Sequence, residues 1–129
     1  MNLTDLFAAI GAALKQITEV ISGDWQVFIG PVDAVSPPAF VIVGGPDPML
    51  TESSFCTDAA HVQAVAIAAR LDVEGTYPIL LAMVDAGNDA LAAAGLRPFQ
   101  TLAPAPFEMA QLQYLAARLQ VRQPVARGG

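Results

Sequence analysis

The sequence holds one cysteine, one histidine and few charged residues, and it lacks any long apolar run. A single cysteine excludes an intramolecular disulfide framework and a cysteine-based zinc site, and a single histidine excludes a histidine-rich one. Lysine and arginine together number 6 against 12 acids, giving a net charge of −6. That balance argues against general binding to a phosphate backbone, which needs clustered cations. A membrane-spanning helix needs roughly 18 or more apolar residues in a row. The longest run free of charge, Ala34–Pro46, is broken by Pro37 and Pro38. No signal peptide is expected: Asp5 sits in the first turn, and no basic segment precedes an apolar block.

What is present points to one folded domain. The chain has 129 residues, of which 54% are hydrophobic, too many for intrinsic disorder. Only 14% are charged, where about 25% is usual, so much of the surface is apolar or neutral. Such a surface suits a subunit that buries part of itself against neighbours, the alternative being a well-packed, Ala-rich monomer. The acidic surplus is uneven. Asp5, Glu19, Asp24, Asp33, Asp47, Glu52 and Asp58 stand against Lys15 alone in the first half, whereas the second half is neutral.

Periodicity supplies the elements. Leu3, Leu6, Phe7, Ile10, Leu14, Ile17 and Ile21 recur at spacings of three and four, which predicts an amphipathic helix over 3–21. Asn2 or Thr4 can cap it, and Ser22-Gly23 stops it. Residues 24–30 (DWQVFIG) read as a strand, 31–38 as a proline-rich loop, 39–43 (AFVIV) as an apolar strand and 46–55 as an exposed loop. The Ala-rich stretch 57–73 favours helix by propensity, but Val65, Ile67, Leu71 and Val73 share one parity, and a long strand is expected. A second helix over 77–94 is capped by Thr76, has Pro78 in its first turn and stops at Gly95. Its Gly87 costs about 1 kcal/mol against Ala, so close packing against a neighbour is expected there. Residues 99–103 read as a strand, followed by a turn around Pro104 and Pro106. Residues 108–122 read as a strand with Leu115, Ala117, Leu119 and Val121 on one face and Tyr114, Arg118, Gln120 and Arg122 on the other. The expected fold is α+β: two helices on a mostly antiparallel sheet of about five strands, formed by residues 1–122, with a flexible tail at 123–129.

No catalytic, cofactor-binding or metal-ligating constellation stands out. Any Ser/His/Asp triad would have to use His61, and Ser22, Ser36, Ser53 and Ser54 lie in no nucleophile elbow. Cys56 and His61 are five residues apart, which puts them on opposite faces of an extended strand. Cys56 reads as a small hydrophobe and His61 as a structural residue. Gly44-Gly45-Pro46-Asp47 follows a strand but matches no phosphate-binding motif. Asp47, Glu52 and Asp58 in one loop, and Asp72 with Glu74 in another, lack EF-hand spacing and read as solvated. Arg118, Arg122 and Arg127 hold half the basic charge, and the first two share a strand face. They read either as ordinary solvated rim charge or, against the acidic half of a neighbouring copy, as head-to-tail contacts.

The order of elements resembles the tail terminator and related neck proteins of long-tailed, siphovirus-type phages. The resemblance covers about residues 3–122. It rests on the N-terminal helix, the segment Pro31–Ala39 (PVDAVSPPA) leading into an apolar strand, the central run CTDAAHVQAVAIAARL and the helix YPILLAMVDAGNDALAAAG. The resemblance implies a structural virion protein with no enzymatic role. It implies a homo-oligomer, a hexameric ring, that caps the tail tube protein and docks to the head–tail connector protein, assembled in the host cytoplasm. The resemblance further implies an acidic lumen through which DNA passes without specific binding. The contact surfaces expected are the loops bearing Pro31, Asp33, Pro37, Pro38, Asp47, Met49, Leu50, Glu52 and Phe55, and the strand bearing Arg118 and Arg122. Another head–tail connector (a stopper) or a minor tail protein is the neighbouring structural alternative. A small α+β enzyme or ligand-binding module, with a pocket near His61 or Cys56, is the alternative of a different class.

Overall fold

A computed structural model describes residues 2–30, 37–46, 48–52, 57–70 and 75–126. Among these residues three helices and six strands follow the order α1 (Leu3–Leu14), α2 (Thr18–Ile21), β1 (Gln26–Ile29), β2 (Ala39–Gly44), β3 (Leu50–Glu52), β4 (Thr57–Arg70), α3 (Tyr77–Ala93), β5 (Gln100–Met109) and β6 (Leu112–Ala126). The strands form one sheet in the order β1-β2-β4-β6-β5, with β3 also paired to β4. Among the described residues only β1 and β2 run parallel, and the other pairings are antiparallel. The expected α+β class holds. No helix among the described residues is long and apolar enough to cross a membrane.

Strand alternation builds two apolar clusters. On one face, Phe40 and Ile42 of β2, Val62, Ala64 and Ala66 of β4, and Leu119 and Val121 of β6 meet Leu6, Ile10 and Leu14 of α1 and Leu80, Met83 and Leu91 of α3. The alanines of β4 leave room for the helices, which is why an Ala-rich segment serves as the central strand despite its helical propensity. Gly87 of α3 does the same: a Cβ there would lie 3.0 Å from Leu119 Cδ2 and 3.3 Å from Phe40 Cε1. The other sheet face gathers Val41, Val65, Ile67, Met109, Tyr114 and Ala116, packed by Phe28, Val43 and Phe107.

Several boundaries differ from the sequence reading. The first helix is not continuous to residue 21. Its chain breaks at Ile17, which is extended at ψ 134°, after bonds from Gln16 N to Ala13 O and from Ile17 N to Leu14 O. The break keeps Ile17 buried and leaves Ile21, expected on the core face, 71% exposed. Asn2 caps α1 as expected, in a reciprocal capping box with Asp5. Thr76 occupies the N-cap position of α3 but makes no side-chain cap bond. The C-terminus of α3 closes as expected at Gly95 (φ 76°), with Leu96 N bonded to Leu91 O and Gly95 N to Ala92 O.

Residues 50–52, read as loop, form β3 instead. His61 N bonds to Met49 O, and Gly45 N bonds to His61 O. The edge of β4 is therefore shared end to end, by β2 up to Gly44 and by β3 from Leu50. Glu52 thus sits opposite Asp58 in a ladder, not beside it in a loop.

The last third differs most. No turn forms at Pro104 and Pro106. Strand β5 runs through both, with a register shift between Leu102 and Ala105. β5 is the edge of the sheet, where proline is tolerated because its missing N–H faces no partner. The reversal lies at Ala110 (φ 52°) and Gln111 (φ 66°), between the paired Met109 and Leu112. Both central residues have positive φ, as a two-residue type I′ hairpin demands, yet neither is Gly or Asn. Residues 123–126, read as part of a tail, form the last rungs of β6, where Thr57 to Ala60 of β4 pair with them and Val125 is buried.

Candidate functional site

The arginine-bearing strand carries the most organised polar surface. Arg118 and Arg122 alternate onto the sheet face opposite the helices, as their spacing predicts. Each guanidinium is braced by an aromatic ring: Arg118 lies 5.4 Å from the centre of Phe107, and Arg122 lies 5.2 Å from the centre of Phe99. Between them, the Gln100 side-chain amide donates to Gln120. Neither arginine has a carboxylate partner among the described residues. Leu102 stands opposite Arg118, and Phe99 and Leu102 are both exposed. The result is a cationic strip edged by apolar surface. Sequence reasoning missed both phenylalanines as partners, because a turn at Pro104 and Pro106 would have carried Phe107 away from β6.

Charge is segregated across the sheet. By strand alternation, His61, Gln63, Gln100, Arg118, Gln120 and Arg122 share the face away from the helices. No acidic side chain alternates onto that face among the described residues. The helical layer is the reverse: Asp5, Glu19, Asp85 and Asp89 accompany Lys15.

His61 is half-buried on β4, with its Nε2 3.3 Å from the Thr51 hydroxyl across the β3–β4 ladder. That contact gives it a place in the packing. Cys56, Asp72, Glu74 and Arg127 lie outside the described residues. Among the described residues no group of three or more His, Cys, Asp or Glu is placed to hold a metal ion.

The loop residues singled out from the sequence fall at opposite ends of β2. Pro37 and Pro38, joined by a cis peptide, are half-buried before its first residue, and Pro38 O accepts from Gln26 N. Met49 and Leu50 lie past its far end, and Glu52 follows on β3. Six residues of strand separate the two sites by about 20 Å. Met49 packs its thioether over Gly44, where a Cβ would make the flexible Met49 side chain shift. It also lines an open apolar groove of about 320 Å³ with Leu3, Thr4, Phe7 and Ile29. Ile29 in that groove is exposed, as is Leu50, the residue after Met49. Pro31, Asp33, Asp47 and Phe55 lie outside the described residues.

No protein-family model matches the chain, and no curated protein matches it in sequence.

Proposed function

We propose that the protein is a non-enzymatic virion subunit, a ring-forming tail terminator at the head–tail junction of a siphovirus-type phage. The observation that supports the reading is the separation of three candidate surfaces. Pro37–Pro38 and Met49–Leu50 mark opposite ends of β2, while Arg118 and Arg122 occupy a separate sheet face. A ring subunit between two different partners needs that arrangement: one end for the tail tube protein, the other for the connector protein, and flanks for its own copies. The flanks are unlike, acidic in the helical layer and cationic on the sheet, which suits heterologous contacts that close into a ring. Acids at Asp5, Glu19 and Asp24 would give a channel wall along which DNA passes without adhering, the converse of counterion-release binding.

The test is particle morphology. Phage assembled without this protein is expected to carry overlong tail tubes. Tails of normal length on heads that leak DNA would replace this reading with that of a stopper.

A further inference from the structure

Helix α3 carries an exposed stripe at four-residue spacing: Tyr77, Leu81, Asp85 and Asp89. Its first half is apolar, with Tyr77 at 51% and Leu81 at 48% exposure. Its second half is acidic. Two like charges one turn apart repel mildly, and Asp89 stands near the negative end of the helix dipole. No basic residue in the last turn offsets either. On the opposite side of the domain, Arg118 and Arg122 present the reciprocal pattern, two cations beside the exposed Phe99 and Leu102.

We propose that the Tyr77–Asp89 face of α3 in one copy docks on the Arg118–Arg122 face of the sheet in a second copy. Two carboxylates and two guanidiniums, each set lacking a partner of opposite charge within its own subunit's described residues, would meet. The flanking apolar residues of each face would be covered by those of the other. Arg118 and Arg122 stand about 14 Å apart along β6, so a helix lying across the strand sets the Asp85–Asp89 turn between them. The aromatic braces hold the guanidiniums in place beforehand, which lowers the ordering cost of association. The two faces lie on opposite layers of one subunit, so the contact is head-to-tail and repeats from copy to copy. The inference rests on the reading of the arginine strand as a subunit contact, and it names the surface that meets it.

Charge exchange tests it on the purified full chain by analytical ultracentrifugation. The wild-type protein is expected to self-associate at low salt and to weaken as salt is raised. The variants D85R/D89R and R118E/R122E are each expected to lose self-association, by at least about tenfold in dissociation constant. Mixing the two, or combining all four substitutions in one chain, is expected to restore it. Thermal unfolding of each variant checks that it is folded; if the fourfold variant is not, the mixture of the two folded variants decides. D85N/D89N, a milder change, is expected to weaken association and flatten its salt dependence. A monomeric wild-type protein, a single-face variant that associates normally, or a mixture that stays dissociated would each overturn the docking. Tail length is read in a separate experiment. Failed charge exchange with overlong tails sinks only the docking; restored association with normal tails sinks only the terminator reading.

Discussion

The guanidinium of Arg122 stands 5.2 Å from the centre of the Phe99 ring, on a sheet face to which no described acid contributes. Phe99 N also bonds to Gln120 O, which ties the ring's backbone to the strand that carries the arginine. A cation over an exposed ring contributes about 0.5–1 kcal/mol. A double-mutant cycle of Phe99→Leu and Arg122→Gln, followed by urea unfolding, is therefore expected to give a coupling energy in that range. A coupling near zero would mean that the ring does not hold the guanidinium.

At Gly87, α3 packs tightly against the sheet. Alanine there gains about 1 kcal/mol of helix propensity but must push Leu119 or the Phe40 ring aside. Valine adds two further carbons to a space already tight for one, beneath fully buried neighbours. Overpacking of this kind costs about 1–3 kcal/mol. Gly87→Val is expected to lower stability within that range, measured by the urea midpoint at unchanged slope. An unchanged midpoint would show that α3 can lift off the sheet without loss.

This packing was legible from residue types, because a glycine in mid-helix has few other reasons to be there. The β4 strand and the two faces of β6 were legible for a similar reason: both faces of these strands are loaded at period two, and a one-residue slip would bury Arg118 and Arg122. The failures share a different cause. Strand β3 owes its existence to β4, whose edge β2 stops covering at Gly44, and nothing in Leu50–Glu52 announces that vacancy. The break at Ile17 likewise comes from packing, since the apolar spacing runs through it without interruption. The aromatic braces of the arginines depend on the β5–β6 register, so they could not be seen once the hairpin turn was misplaced.

That turn offers a direct test. Ala110 and Gln111 occupy left-handed backbone conformations at φ 52° and φ 66°. For residues with a Cβ, each costs on the order of 1–2 kcal/mol, and Asn-Gly relieves much of it. The double substitution Ala110→Asn, Gln111→Gly is expected to raise stability by about 1–2 kcal/mol. Thermal unfolding measures it, as an increase in midpoint. A fall in the midpoint would place the chain reversal elsewhere, and the turn at Pro104 and Pro106 would regain its standing.

The C-terminal rungs of β6 give the last prediction. Val125 is 4% exposed and belongs to the cluster beneath the helices, and Asp58 of β4 pairs with it. Pro124 follows the point where β5 has ended, so β6 has a strand on one side only and loses no ladder bond to the missing N–H. A dispensable tail and a core strand differ in what their removal costs. Burying a valine contributes about 1.5–3 kcal/mol, so Val125→Ala is expected to cost roughly half that or more, the higher figure applying where the cavity fails to collapse. Truncation after Arg122 removes the same side chain and the pairing of Thr57 to Ala60, and it is expected to destabilise further than the point substitution. Urea unfolding of the two variants, set beside the full chain, separates the cases. Equal midpoints for all three would return residues 123–126 to the tail.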